Sequence, residues 1–414
     1  MPKAKISPSG KQIPDHKVLG QKLELFLISP LSPGMIFWLS RGVVLFNLII
    51  DDLRKTLNRW GYLEIKTPTL FNTALFRQSG HIQNFKDKMF FAGSSRELSA
   101  KNKLLKQGIL NWTVKPMNCP EAMLVFNSKM RSYRDLPLRL AEFGQIHRFE
   151  QAGEVNGLLR ARQFTQDDAH IFVTEEQIEK EVEGLIDLTL ETYKKYGFKK
   201  YHLELSTRPK KSIGADEEWQ NAERALSSAL KNKKLKYKEN PGDGAFYGPK
   251  IDFHIEDAHK RAWQLSTIQL DFAMPEKLEV NYIDSTGKKK HPVIIHRAIL
   301  GSVERFIGIL LEHTAGALPV WLAPVQARII PIADRHLEYA RLVSKKLEAE
   351  GVRLEIDSRN ESTSKKIQGL EREKIPFGLV VGDREKKSKK IAVRSREKGD
   401  LGLKSLTEFL KMLH

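Results

Sequence analysis

The sequence predicts an α+β part built around an antiparallel hairpin, followed by a small α/β unit. Three observations predict this. Between Leu136 and Thr174, two extended segments flank a polar stretch holding Gly153 and the Asn156-Gly157 pair, which is a hairpin signal. Helical periodicity stands on either side, at Leu45, Leu48, Ile49, Leu53 and Leu57 and at Ile178, Val182, Ile186, Leu188 and Tyr193. From Trp321 onward, extended and helical patterns alternate, which predicts a mostly parallel sheet. The expected divisions are a flexible N-terminal segment 1–14, a large domain 15–320 and a tail domain 321–414.

In order along the chain, the residues up to about Pro14 are polar and read as loose. A helix is expected from about Val43 to Trp60, and Pro68 reads as the end of an edge strand. The stretch from about Ala92 to Trp112 reads as a basic helical excursion, with a solvated surface element as its default role. After KPMNCP (Lys115 to Pro120) a helix is expected to carry Leu124 and Phe126 into the core. Residues 175–197 read as a helix, and Phe198 to Glu239 as a strand, a polar stretch and a helix. Val303, Phe306, Ile307, Leu310 and Leu311 make one buried helical face, with Ser302 and Arg305 on another. Gly301 before them permits close approach of a second backbone. The tail reads as ARIIPI, a helix with Tyr339, Ala340, Val343 and Leu347, VRLEI, a helix near Ser364 to Glu373, FGLVV, KKIAVR and a last helix.

The totals narrow the classes. At 414 residues and 41% hydrophobic content the chain has ample core. A formal charge of +18 favours a polyanionic partner, nucleic acid before membrane, although many soluble proteins are simply basic. The tail carries 21 Lys+Arg against 14 Asp+Glu, a net of +7, so its charge density is about double that of the rest. Cys119 is the only cysteine, which excludes an internal disulfide and points to a reducing compartment. The N-terminus has no apolar stretch for a signal peptide, and Gly34 to Ile50 is broken by Arg41 and Asn47, too short for a membrane helix. A cytoplasmic protein is expected.

The hairpin carries the chemistry. Ile146, Arg148 and Glu150 are expected on one face, and Gln145, His147 and Phe149 on the other. Arg160, Arg162, Phe164, Gln166, Asp168 and His170 recur at period two and are expected to share a face. That is too many charges for a core. A solvated face is the default for an arbitrary charged hairpin. This mixture instead suits a nucleotide: arginines grip phosphate oxygens bidentately, an aromatic ring stacks on a base, and a carboxylate accepts from a base amine. Neither GxxxxGK[ST] nor GxGxxG is present, so the pocket is not of P-loop or Rossmann type.

These stretches resemble the class II aminoacyl-tRNA synthetases. RLAEFG, Arg148-Phe149-Glu150 and FTQDDAHIF are similar to the second signature motif of that family, and PVIIHRAILGSVERFIGILLEHTAG to the third. Pro68 resembles the proline of the first. DHKVLGQKLELF, SPGMIFW, KPMNCP, YGPKIDF and WQLSTIQLDF extend the likeness to the threonine-specific branch, over about residues 15–410.

The resemblance implies an α+β catalytic domain, with an antiparallel sheet flanked by helices, and a small α/β anticodon-binding domain. It implies an enzyme that activates L-threonine with ATP and Mg²⁺ to threonyl-adenylate and transfers it to tRNA(Thr). Neither DNA nor a membrane is an expected partner, and the first motif implies a homodimer. By the same resemblance, Arg148 and Arg305 are catalytic, together with Lys250 and His81; a lone histidine is otherwise more often structural. ATP would be held by Arg148, Glu150, Arg160, Phe164, Gln264, Thr267, Ser302 and Arg305. Threonine would be held by Met117, Gln166, Asp168, Tyr247 and Gln269. A Zn²⁺ ion is implied at Cys119, His170 and His296, which are too far apart in sequence to form a short metal motif. Cys119 alone would read as a small buried hydrophobe. Asn360, Glu385 and Arg394 are the implied anticodon contacts.

The chain also departs from the family. Glu121-Ala122 stands where Gly-His is usual. Ser266 replaces a frequent glycine and is expected to add a side chain near the nucleotide. TSKKIQGLE replaces a basic run in the tail. Because only about 14 residues precede the first matching motif, correction of serine errors in cis is not expected. Three other readings stand beside the main one. A prolyl- or histidyl-specific relative would lack the Cys119, His170 and His296 set. A catalytically weak, synthetase-like RNA-binding regulator would have lost Arg148, Arg305 or a metal ligand. A basic protein that merely binds RNA would not bind ATP.

Overall fold

The computed structural model describes residues 14–94 and 110–413. Positions 1–13, and positions 95–109 of the expected basic excursion, lie outside the described residues. The chain begins with α1 (His16–Lys22), β1 (Phe26–Ile28), β2 (Ile36–Trp38), α2 (Ser40–Arg59), β3 (Leu63–Glu64), β4 (Leu70–Asn72), α3 (Thr73–Gln78), α4 (His81–Phe85) and β5 (Phe90–Ala92). It continues with β6 (Trp112–Val114), α5 (Cys119–Phe126), β7 (Leu138–His147), β8 (Gln163–Val173), α6 (Ile178–Lys195), β9 (Tyr201–Ser206), α7 (Asp216–Asn232) and β10 (Tyr237–Asn240). Then come β11 (Lys250–Glu256), β12 (Ala262–Asp271), α8 (Met274–Lys277), β13 (Tyr282–Ile283), β14 (Lys289–Lys290), β15 (Val293–Ser302) and α9 (Val303–Thr314). No described helix is long and apolar enough to cross a membrane.

The sheet that positions the site runs β10-β9-β11-β12-β15-β8-β7-β3. Its inner pairings are antiparallel, and β10 and β3 join the two edges in parallel, so the sheet is mixed. One face is apolar. Ile251, Phe253 and Ile255 of β11 and Ile268 and Leu270 of β12 are buried with Val182, Ile186, Phe306, Ile307 and Leu310 from α6 and α9. On β11 and β12 the alternate residues are mostly polar and look to the opposite, open face, which is apolar and covered only where Leu138, Leu140, Phe172 and Ile294 pack with Met123 and Phe126. The expected buried face of α9 is therefore present in full.

The hairpin pairs Leu138 with Phe172 through His147 with Gln163. It differs from the sequence expectation at its tip. β7 stops at His147 because the Glu150 amide donates to the Arg148 carbonyl at 2.7 Å, a tight turn that ends the alternation. Arg162 leaves the shared face: its guanidinium lies 4.9 Å from the Phe149 ring centroid and donates to the Glu150 carbonyl at 2.8 Å. α2 starts earlier than expected, at Ser40, because Leu39 before it offers no capping side chain to mark the end. In α5 Phe126 is buried but Leu124 is exposed.

The remaining chain adds β16 (Ala327–Pro331), α10 (Leu337–Ala349), β17 (Leu354–Ile356), α11 (Thr363–Arg372), β18 (Phe377–Val381), α12 (Asp383–Ser388), β19 (Ile391–Ser395), β20 (Gly399–Lys404) and α13 (Leu406–Leu410). The sheet order is β17-β16-β18-β19-β20, with its own core from Ala327 to Phe409. The expected mostly parallel sheet is corrected here: β17, β16 and β18 are parallel, but β19 and β20 are antiparallel. Residues 382–390 between β18 and β19 are too few for a parallel crossover, which needs a dozen or more.

Arg41 at the start of α2 reaches into this second unit. Its guanidinium donates to Glu373 Oε2 and Glu355 Oε2, each at 2.9 Å. Arg328 takes the other oxygens of both acids, Glu355 Oε1 at 2.6 Å and Glu373 Oε1 at 3.1 Å. Replacing Arg41 by Ala leaves two partly buried carboxylates with one cation. The expected loss is about 1–3 kcal/mol, read as a lower urea midpoint; an unchanged midpoint would show that the cross-unit pair is energetically neutral.

Candidate active site

The open face of the large sheet carries a cleft of about 330 Å³. Of the residues singled out in the sequence, Arg148, Glu150, Arg160, Phe164, Gln166, Gln264, Ser302 and Arg305 line it, and Thr267 does not. Gly301, read in the sequence as a point of close backbone approach, lines it too, and Leu158, Leu159, Ala161, Leu265 and Leu300 line it without having been singled out. They carry no polar signal, and only the fold brings them to the wall.

The cleft is built to hold negative charge. The Arg148 guanidinium lies 5.4 Å from the Phe164 centroid and 5.6 Å from that of Phe85, and its Nε donates to the Pro116 carbonyl at 3.3 Å. Burial lowers its pKa, with Glu150 and Asp168 acting against the shift. Arg305 is lowered by burial and then by the nearby Arg160, and its buried Nε has no hydrogen-bond partner. Arginines this close, one with an unmet donor, need an anion between them. Ser302 caps α9, its Oγ accepting from the Arg305 amide at 3.1 Å, which fixes Arg305 on the first turn.

In this structure Glu150 is occupied by protein cations. Its Oε2 accepts from Lys88 Nζ at 2.9 Å and Arg160 Nε at 3.0 Å, and Glu154 shares both cations. Lys88 and Glu154 were not singled out in the sequence. Asp252 was also missed. Its carboxylate gathers Lys250 Nζ at 2.6 Å, Gln264 Nε2 at 2.7 Å and Thr267 Oγ1 at 2.9 Å. The available signal was its position two residues beyond Lys250 on one strand, hence on the same face.

Beside the cleft, Cys119, His170 and His296 converge. Their ligating atoms lie within 4.8 Å of one another, and all three residues are buried. The histidines meet because β8 and β15 pair them directly, while Cys119 arrives on the first turn of α5. His170 Nε2 and His296 Nδ1 are buried without a partner. The other nitrogen of His296, Nε2, bonds to Asp271 Oδ2 at 2.9 Å, an orienting carboxylate of the kind metal-bound histidines have. Burial, followed by Asp168, Glu121 and Asp271, pushes the Cys119 thiol well above its usual range, so its thiolate needs a cation nearby. Two orphaned imidazole nitrogens and a thiol fit a tetrahedral metal with one position left open.

Around this cluster, Asp168 Oδ2 accepts from Asn118 Nδ2 at 3.0 Å, and Tyr247 donates to Gln269 Oε1 at 2.5 Å. Met117 packs half-buried against the same apolar cluster as Cys119 and Tyr247. His81 is buried, with Nδ1 2.8 Å from Ser79 Oγ and Nε2 unpartnered. Burial, then His296 and Arg148, lowers it to about 4. Glu121, the departure next to Cys119, is buried without a hydrogen-bond partner and is pushed up to about 8, chiefly by burial.

Ser266 does not sit where the sequence suggested. It is fully buried behind the sheet, its amide donating to the Tyr193 hydroxyl at 2.8 Å and its Oγ 3.4 Å from Thr189 Oγ1. The bulge at Phe253/His254 sets its place in the β11–β12 register. In the tail, Asn360 and Glu385 follow the C-terminal ends of β17 and β18, on one rim. Arg394 lies on β19 opposite Gly378, away from that rim. Glu385 is buried and accepts from its own Gly382 amide at 2.9 Å, a helix cap.

Comparison with known proteins gives consistent likenesses. Residues 105–314 match the family model of the tRNA synthetase class II core domain (G, H, P, S and T), and residues 326–414 match the anticodon binding domain. A threonine–tRNA ligase of Caldanaerobacter subterraneus subsp. tengcongensis is 50% identical over 399 residues, covering 96% of this chain and 60% of the relative. One from Clostridium acetobutylicum is 47% identical over 396 residues, again 96% of this chain and 60% of the relative. The chain thus spans about 60% of the length of the curated relatives it matches. A crystal structure described as the RNA binding domain of threonyl-tRNA synthetase from Cryptosporidium parvum Iowa II superposes with a TM-score of 0.90 at 41% identity, covering 96% of this chain and 97% of that one. A putative threonyl-tRNA synthetase from Aeropyrum pernix gives 0.81 at 29% identity, with 96% and 95% covered.

Two substitutions probe the cleft wall and the buried acid behind it. Gly301 has φ +70°, and a Cβ there would stand 2.9 Å from the Leu265 carbonyl oxygen. Gly301→Ala is expected to cost about 1–3 kcal/mol, measured by thermal or urea unfolding. Glu304 accepts from the Thr165 amide at 2.8 Å, yet burial pushes it up from 4.5 to about 7. Between those two values the folded chain holds a proton that the unfolded chain has released, so stability falls as pH rises through the window. Glu304→Gln should flatten that slope by up to about 3 kcal/mol, seen by comparing unfolding at pH 5 and pH 7.5.

Proposed function

Because the chain belongs to the class II aminoacyl-tRNA synthetases, in the threonyl-tRNA synthetase family, we propose that it activates L-threonine with ATP and transfers the threonyl group to tRNA(Thr). The observation that carries this reading is the nearness of two sets of residues: an arginine-lined cleft, and a buried Cys/His/His cluster beside it.

Activation joins the threonine carboxylate to the α-phosphate of ATP and releases pyrophosphate. It needs no protein nucleophile, so positioning and charge stabilisation do the work. Arg148 bridges the carboxylate and the α-phosphate. Arg305 clamps the nucleotide from the opposite wall, and its unpartnered Nε supports that role. Arg160 leaves Glu150 for the γ-phosphate, which frees Glu150 to accept from the adenine amine, and Phe164 stacks on the base. Gln264, Thr267 and Ser302 complete the nucleotide contacts, with Asp252 holding the first two in place. Mg²⁺ enters with the triphosphate. Lys250, drawn in by Asp252, adds positive charge at the rim.

We assign Zn²⁺ to Cys119, His170 and His296, which would hold it; it would supply a Lewis-acid contact for the polar groups of threonine. Asp168, steadied by Asn118, accepts from the threonine hydroxyl. Gln166, Tyr247, Gln269 and Met117 shape the rest of the pocket. His81, with an unpartnered Nε2, meets the terminal ribose of the tRNA and assists transfer. Residues 15–320 form the catalytic domain in this reading, and 321–414 read the anticodon with Asn360, Glu385 and Arg394. A homodimer and a cytoplasmic setting complete the proposal.

The decisive measurement is amino-acid-dependent ATP–pyrophosphate exchange on zinc-loaded protein. A site built to engage a hydroxyl rejects an analogue lacking it by about 10⁴–10⁵, whereas a missing methyl is worth only about 1–3 kcal/mol. Threonine should support exchange, serine less, and valine essentially none. Folded, zinc-containing protein that exchanges with no amino acid would sink this proposal in favour of the RNA-binding regulator. Arg148→Ala should lower kcat by roughly 10²–10³, and Cys119→Ser should purify without its equivalent of zinc, by elemental analysis.

A further inference from the structure

A second group of ligating side chains lies on the open face of the same sheet, outside the cleft. We propose that His202, Glu204 and His254 form a second metal site, which takes a borderline divalent cation such as Zn²⁺, Co²⁺ or Ni²⁺. His202 and Glu204 are two apart on β9 and so share a face. His254 is the direct partner of His202 across the β9–β11 pairing. Leu203 and Phe253, the neighbours that point the other way, are buried in the core, which holds both strands rigid and turns all three donors outward.

The three side chains stand within reach of one ion. The imidazole rings are stacked, with centroids 4.5 Å apart and planes 9° from parallel, so rotation of exposed His202 about its side-chain bonds is what would bring both in-plane lone pairs onto one cation. Each Nε2 faces one oxygen of the same carboxylate: His202 lies 3.9 Å from Glu204 Oε1, and His254 lies 3.8 Å from Oε2. Those separations are too long for hydrogen bonds. They are close to the roughly 3.3–3.6 Å between two donors that each sit about 2.0–2.2 Å from one tetrahedral ion. One ligating atom from each residue falls within a 4.8 Å group. Glu204 is steadied from the next strand by Asn240, whose Nδ2 donates to Oε2 at 3.1 Å, as outer-shell partners steady a ligand.

This site differs in kind from the Cys119 cluster. It has no thiolate, His202 is exposed, and Glu204 and His254 are half-buried, so bound metal exchanges with solvent. It stands two residues along β11 from Asp252, the acid that organises Lys250, Gln264 and Thr267. A cation held there places positive charge next to that acid.

The test is a Co²⁺ titration of the metal-free, tag-free chain, followed by equilibrium dialysis and absorption. Two equivalents are expected. One carries the near-ultraviolet thiolate-to-cobalt band of the Cys119 cluster, and the other lacks it. His202→Ala and Glu204→Gln should each lose the second equivalent and keep the thiolate band, with circular dichroism unchanged. His202 is exposed, so its replacement leaves the fold intact. Wild-type protein that binds no equivalent free of the thiolate band, or variants that keep it, would overturn the proposal. Absence of the thiolate band alone would count against the Cys119 assignment and not against this site.

Discussion

Slipping β8 by one residue against β15 would send His170 and His296 to opposite faces of the sheet, and Asp168 with them, because side chains alternate at every step of a strand. The register is held by the apolar face. Ile171 and Val173 on β8 and Ile295 on β15 are fully or almost fully buried beneath the helices. Taking them out of the helix-covered core would cost up to about 1.5–3 kcal/mol each. The hydrophobic layer therefore fixes polar chemistry on the other side of the sheet, to within a hydrogen-bond length, without touching it.

The same division explains what could be read in the sequence. The facing of β8 from Phe164 to His170 and the buried stripe of α9 follow from period and residue type, but Arg162 leaves the face that period assigns it. The turn at Arg148–Glu150 did not, because a single backbone bond between near neighbours leaves no mark on the pattern. Nor did the place of Ser266, which depends on a bulge between β11 and β12 that shifts the facing of everything beyond it. Asp252, Asn118 and Asp271 were overlooked for a different reason. Asn118 and Asp271 touch side chains 50 and 25 residues away, so only the assembled sheet makes them partners, whereas Asp252 shares a strand face with Lys250 and gains Gln264 and Thr267 only when β11 pairs with β12. In the tail, the alternation of strands and helices was legible, but strand direction depended on the length of one connection.

Charge at the site is kept in readiness by substitution. Glu150 is neutralised by Lys88 and Arg160, and Arg305 has a donor left over. In the proposed reaction the nucleotide would take over cations that are already in place, so the site would need little reorganisation. Glu154 also contacts both Lys88 and Arg160, which keeps these long side chains from collapsing onto the cleft floor.

The closed ring of Arg41, Glu355, Arg328 and Glu373 joins a helix that packs under the large sheet to strands and a helix of the second unit. Such a ring makes the relative placement of the two units a thermodynamic variable. A ligand on one unit that binds better in one placement shifts the other unit by the same factor, and the influence runs equally in both directions. Because the ring is ionic and partly exposed, salt tunes the strength of that link without altering either site.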